Sequence, residues 1–164
     1  MLKDGLYYSL IPSKWLRGDW YFELAAVKNK NIRQAKCAGF EDIDVLEVND
    51  GAGVFADCTL LEEADLSQTG ITVIESRLFL NCTSLKTVKL PKTLTMIYGA
   101  FENCTSLEKV DLSQTALTQM QGTFRDCSSL KTVKLPTTLT SLGNTFAGCT
   151  SLEEADLSEL PITE

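Results

Sequence analysis

Histidine is absent from the 164 residues, so the commonest general base and the commonest metal ligand are both missing. An enzyme built on this chain would have to work with carboxylates, lysines or thiols alone. No run of 18 or more apolar residues occurs either, which leaves no candidate for a membrane-spanning helix. Positive charge is in deficit: the net charge is −7. Nucleic-acid binding rests on Lys and Arg neutralising phosphates, and adsorption to an anionic bilayer uses the same residues, so neither partner is expected. A Gly-rich phosphate loop, a nucleophile elbow and a zinc motif are all lacking. The stretch Met1 to Trp20 has no apolar core of the kind a secretory signal needs. The expectation is a chain made without a signal, and then cytoplasmic or particle-borne, or one whose signal has been removed.

What is present is repetition. With 44% hydrophobic and 23% charged residues the composition is that of one ordinary folded domain. Phenylalanines recur at Phe55, Phe79, Phe101, Phe124 and Phe146, at spacings of 24, 22, 23 and 22. Three residues after each comes a cysteine: Cys58, Cys82, Cys104, Cys127 and Cys149. An L-x-x-L-x-L triplet follows each cysteine, as in Leu61/Ala64/Leu66, Leu85/Val88/Leu90, Leu107/Val110/Leu112, Leu130/Val133/Leu135 and Leu152/Ala155/Leu157. This pattern and period are those of a leucine-rich repeat. Each triplet predicts a short strand with two alternating residues turned inward. One repeat cannot bury its apolar side alone, so neighbours must stack.

The expected fold is therefore an α/β solenoid, a right-handed leucine-rich-repeat superhelix. Its concave face carries a short-stranded parallel sheet, and short helical or 3-10 turns around the phenylalanines line the convex side. Ile71/Ile74, Leu94/Ile97, Leu117/Met120 and Leu139/Leu142 should line the return path. Asp57, Asn81, Asn103 and Asp126, each just before the cysteine, suit the turn that closes the phenylalanine segment, and Gly148 takes that place in the last unit.

The recurring F-x-[D/N]-C-[T/S]-x-L-x-x-[V/A]-x-L-[P/S] resembles the BspA-type leucine-rich repeat. Phe79-Leu80-Asn81-Cys82 with Leu90-Pro91, and Phe124-Arg125-Asp126-Cys127 with Leu135-Pro136, carry the likeness. Three units depart from it with Asp-Leu-Ser in place of Lys-Leu-Pro. The resemblance covers residues 55–164 and implies a secreted or surface-displayed module that binds host proteins or other cells, with no catalytic residue and no cofactor.

Residues 1–54 read differently. Tyr7, Tyr8, Trp15, Trp20, Tyr21 and Phe22 crowd the first 22 positions. Ile43/Leu46/Val48 repeats the strand spacing, and Leu24/Val27 hints at an earlier strand. A solenoid needs a distinct cap over its first open face, which is the expected role; docking onto a larger assembly is the alternative. The last unit stops at Glu164 without a polar cap: either the natural protein continues, or the last rung protects its own edge, or the edge is a contact, since a bare edge invites pairing with another chain. Self-association through the repeat ends is therefore a second candidate function.

Stacking turns sequence columns into ladders. A line of thiols cannot surround one zinc ion tetrahedrally, and five equivalent thiols cannot all pair, so the cysteines read as small buried core residues. No metal site is expected. On the exposed side of the strands, Asp65, Lys89, Asp111, Lys134 and Asp156 alternate in sign, as do Glu62, Lys86, Glu108, Lys131 and Glu153. A third column runs Glu63, Thr87, Lys109, Thr132, Glu154. Opposite charges on neighbouring strands stabilise a sheet, so this pattern serves folding as well as recognition. The candidate binding surface is Glu63, Asp65, Lys86, Thr87, Lys89, Glu108, Lys109, Asp111, Lys131, Thr132, Lys134, Glu154 and Asp156, facing a protein or cell-surface ligand.

Leu-Lys-Thr-Val-Lys-Leu-Pro occurs verbatim at Leu85–Pro91 and Leu130–Pro136, so the true unit is a two-repeat block. Near-identity of blocks disfavours a single asymmetric catalytic constellation. Glu62–Glu63 and Glu153–Glu154 suggest acid/base work or calcium in isolation, yet they recur on an open surface where burial does not tune them.

Overall fold

The computed structural model describes residues 10–16, 19–24, 33–40, 45–46, 53–74, 77–155, 157–158 and 160–161. The chain opens with an antiparallel hairpin of β1 (Leu10–Leu16) and β2 (Asp19–Leu24), in which Trp15 is the register partner of Trp20. Thereafter every pairing is parallel, and the strands fall alternately into two sheets.

The front sheet holds the L-x-x-L-x-L strands. β3 (Gln34–Phe40), β5 (Glu63–Thr69) and β7 (Thr87–Lys89) form one set; β9 (Lys109–Asp111), β11 (Thr132–Lys134) and β13 (Glu154–Ala155) form another. The back sheet is continuous: β4 (Val45–Leu46), β6 (Val73–Ile74), β8 (Met96–Tyr98), β10 (Gln119–Gln121) and β12 (Ser141–Gly143) pair in sequence order. The return-path residues thus form strands of their own, with Ile74, Ile97 and Met120 turned inward and buried. The molecule is a parallel β-solenoid of leucine-rich-repeat type.

The helical or 3-10 turns expected around the phenylalanines are not found: the described residues contain no helix. The phenylalanine segments close as isolated turns, with the Cys58 N–H on the Phe55 carbonyl at 3.1 Å and the Leu61 N–H on the Cys58 carbonyl at 3.0 Å. The reason lies between those bonds. Asp57, Asn81, Asn103 and Asp126 sit at φ 61°, 59°, 63° and 58°, a left-handed conformation that ends a right-handed turn at once. Their amides bond across to the next rung, Asp57 to Leu80, Asn81 to Glu102, Asn103 to Arg125 and Asp126 to Ala147, at 2.8–3.0 Å. Backbone groups that a helix would use internally are committed between repeats instead.

The early rung also differs from expectation. β3 pairs with β5 at Gln34↔Glu63, while Val45–Leu46 pairs with β6 in the back sheet. Leu46 is therefore not part of a front strand, and Ile43 and Val48 lie outside the described residues. The first step spans 29 residues against 22 to 24 in later ones, so its spacing no longer follows the shorter repeat. Leu24 ends the hairpin; Val27, Tyr7 and Tyr8 are outside the described residues.

Between the sheets the phenylalanines stack. Neighbouring ring centroids are 5.2, 5.3, 5.4 and 6.0 Å apart from Phe55 to Phe146, all within 11° of parallel. Leu61, Leu85, Leu107 and Leu130 fill the layer beneath the front strands and are fully buried. Leu142, Phe146, Cys149 and Leu152 of the last rung are part-buried against this core.

Candidate functional site: the outward face of the front sheet

Register brings the charge columns together. Glu63 lies beside Thr87 and Asp65 beside Lys89, while Thr132 and Lys134 lie beside Lys109 and Asp111, with Glu154 next to Thr132. Of the thirteen expected binding residues only Asp156 falls outside the described ones. The others share one outward face.

The ions pair in a directed way. Four of the five lysines on this face contact the acid of the rung before: Lys86 Nζ to Glu62 at 3.0 Å, Lys89 to Asp65 at 3.6 Å, Lys131 to Glu108 at 3.1 Å and Lys134 to Asp111 at 3.7 Å. Among the described residues no ion pair joins Lys86 to Glu108, or Lys89 to Asp111. An Asp-Leu-Ser rung and the Lys-Leu-Pro rung after it thus form a closed electrostatic couple. Serine completes the couple: the Ser67 amide and hydroxyl donate to Asp65 Oδ1 at 3.0 and 2.6 Å, and Ser113 treats Asp111 identically.

These donors act on protonation. The Ser67 hydroxyl is the largest influence holding the Asp65 carboxyl below its ordinary value, with Lys89 a smaller one. Ser113 does the same for Asp111. For Glu62 the hydrogen bond from Lys86 leads, followed by that from Arg33. Carboxylates stabilised as anions are poor general acids at neutral pH. The described residues contain no group of three or more metal-ligating side chains.

One feature escaped the sequence pattern. Arg33 and Gln34 extend the face by one rung, with Arg33 on Glu62 at 2.6 Å and the Gln34 amide donating to Glu63 at 3.1 Å; the long first step hid them. The Asp-x-Ser turns, by contrast, were readable, because a serine two residues after an aspartate is a common local capping pair.

One cation stands apart. Lys109 has no ionic partner among the described residues, and it lines two clefts. The first, about 460 Å³, is bounded by Lys86, Ser106, Glu108 and Ser129 as well. It sits where the front ladder is interrupted between β7 and β9. The second, about 680 Å³, runs over Thr132, Val133, Lys134 and Leu135 to Glu154 and Leu160.

The cysteines are structural. Each Sγ donates to a phenylalanine carbonyl of the preceding rung, Cys82 to Phe55, Cys104 to Phe79, Cys127 to Phe101 and Cys149 to Phe124, at 3.0–3.2 Å. Burial pushes the Cys104 thiol well up and the Cys127 thiol to about 12. Such thiols are inert as nucleophiles.

A parallel solenoid with stacked phenylalanines, hydrogen-bonded thiols and an open charged face defines a leucine-rich-repeat protein. Six copies of the BspA type leucine rich repeat match residues 50–163, and the chain belongs to that family. Its structure is similar to that of a T. pallidum leucine-rich repeat protein, with 27% identity, TM-score 0.67 and coverage of 93% of this chain and 68% of that one. A Bacteroides ovatus leucine-rich repeat protein matches at 25% identity and TM-score 0.58, over 74% of this chain and 36% of that one. A leucine rich cell surface protein of Faecalibacterium prausnitzii shares the fold, at 19% identity and TM-score 0.56, over 88% of this chain and 51% of that one. The chain thus spans about half or less of the latter two. No curated protein matches the sequence significantly.

Proposed function

We propose that the chain is a protein-binding module whose front-sheet face makes the contact. The observation that carries this reading is Lys109. The other four lysines of the face are held by acids, and a ligand must compete for them. Lys109 is available without competition, between two clefts, one of which offers the apolar surface of Leu135 and Leu160. The ligand that fits is a protein segment with a carboxylate for Lys109 and an apolar side chain for that cleft. Ionic contacts there set specificity and association rate more than affinity. Display at a cell surface, as an adhesin, is the setting this fits, since one structural relative is described as a cell surface protein.

A protein array probed with the chain and with its Lys109→Glu variant tests the proposal. A ligand bound by the first and lost by the second, with the circular dichroism spectrum unchanged, supports it. If every bound protein ignores Lys109→Glu and Lys134→Glu alike, the front face is not the contact.

End-to-end assembly is a second reading, motivated by Leu157, which is 43% exposed. Sedimentation across a concentration range separates the two readings, since a strict monomer at high concentration removes the second.

A further inference from the structure

The back sheet presents a face of opposite character. Its outward positions on β8, β10 and β12 are Met96, Tyr98, Gln119, Gln121, Ser141 and Gly143, without a charge among them. Strand side chains ordinarily stand away from the sheet. Tyr98 does not. Its register partner is Gln121, yet its hydroxyl donates to Gln119 Oε1 at 2.9 Å and lies 3.8 Å from Met96 Sδ, two residues back along its own strand. The side chain therefore leans along the sheet toward Gln119 and Met96, and it stays part-exposed. Gln121 is flattened too, its Cγ 3.5 Å from where a Cβ on Gly143 would stand. The Gln119 Nε2 group, the Gln121 amide and the Ser141 hydroxyl have no hydrogen-bond partner among the described residues, and all three side chains are exposed.

We propose that this face binds a neutral glycan, with a sugar ring stacked on Tyr98 and its hydroxyls bonded to Gln119, Gln121 and Ser141. The chemistry favours such a ligand. An aromatic plane accepts the C–H face of a sugar ring, since a ring's π-face is its negative side. Primary amides and hydroxyls both donate and accept, which matches a sugar hydroxyl doing the same. Rungs 4.7–4.9 Å apart in a sheet repeat these groups along the solenoid axis, so a chain of sugars meets a partner at each step. An anionic glycan finds no cation on these positions. A protein ligand needs a buried apolar centre, and the exposed large apolar residues among those described, Leu60 and Leu157, lie elsewhere.

An array carrying uncharged glycans beside sulfated and sialylated ones tests the proposal on the full chain. Binding to one or more neutral glycans, insensitive to salt, is expected. Tyr98→Ala should weaken it about tenfold, the loss typical of truncating a contact aromatic. Tyr98→Phe keeps the ring and most of the affinity. Retention of anionic glycans alone, of no glycan, or an affinity indifferent to Tyr98→Ala overturns the proposal. So does a protein ligand lost with Tyr98→Ala when no glycan binds. Melting curves of the variants confirm that each remains folded.

Discussion

A left-handed residue is the device on which each repeat turns, and the sequence fills it with Asn, Asp or Gly, the residues that accept the conformation most readily. The side chains then do more than tolerate it. Asn81 Nδ2 donates to Asp57 Oδ1 and Asn103 Nδ2 to Asn81 Oδ1, both at 2.8 Å, so the turns are laced together along the axis. At Asp126 the lacing stops, because a carboxylate has no proton to donate onward. Its Oδ1 instead occupies the space a side chain on Gly148 would need. Gly148→Ala should therefore cost about 1–2 kcal/mol, combining left-handed strain with that collision. Asn103→Ala should cost a similar amount and Asn103→Gly less, with urea denaturation as the measure. Protonation is a second residue-scale property. Asp65, Asp111 and Glu62 have folded-state values below their ordinary 3.8, 3.8 and 4.5. The stability they contribute is present above those ordinary values and is lost as pH falls through the depressed ones. Melting temperature should thus fall below about pH 4. Ser67→Ala and Ser113→Ala should shrink that acid limb by letting the aspartates titrate nearer their ordinary value, which carboxyl chemical shifts would show directly.

The single rung and its neighbour form the next scale, and here the ion pairs have a direction that the column pattern did not contain. Alternating signs predict that Lys89 is equally served by Asp65 before it and Asp111 after it. The structure pairs it with Asp65 alone. Double-mutant cycles should give about 0.2–1 kcal/mol for Lys89 with Asp65, as for other cross-strand pairs, and a value near zero for Lys89 with Asp111. Equal couplings would refute the closed two-rung couple. The phenylalanine stack gives a matching contrast: Phe101→Ala, in the middle, should cost about 3–5 kcal/mol, and Phe146→Ala, part-covered at the end, distinctly less. Legibility also divides at this scale. The core columns, the turn residues and the front strands could be read because each has one residue type at a fixed spacing. The back strands were less legible: their residues are expected only to line the return path, since two apolar residues three apart, such as Leu94 and Ile97, fit a helix face as well as a turn followed by a strand. The Tyr98 face went unread for a related reason: its members share no residue type, only the absence of charge.

At the scale of the whole molecule, stability is a sum of rung and interface contributions, and the two sheets do not contribute alike. The back sheet is paired without a break from β4 to β12, whereas the front sheet is interrupted between β7 and β9. That interruption coincides with the boundary between one closed ionic couple and the next, and with the cleft beside Lys109. Across this boundary the repeats are joined by the back sheet, the Phe79–Phe101 stack at 5.3 Å, the turn bonds of Asn81, Asn103 and Cys104 and the Arg77–Glu102 ion pair, while their front edges lack a ladder. The solenoid should therefore yield first along its front at this seam, opening the Lys109 cleft while the back stays closed. Hydrogen exchange provides the measurement, because amides without a ladder partner open at low free energy. Front-sheet amides of β9 that face β7 should exchange faster than the Ile97 and Met120 amides at the same level of the back sheet. Equal protection of the two sheets there would refute the seam. Faster exchange that slows when a front-face ligand binds would tie the seam to recognition, since a ligand bridging Lys86 and Lys109 spans it.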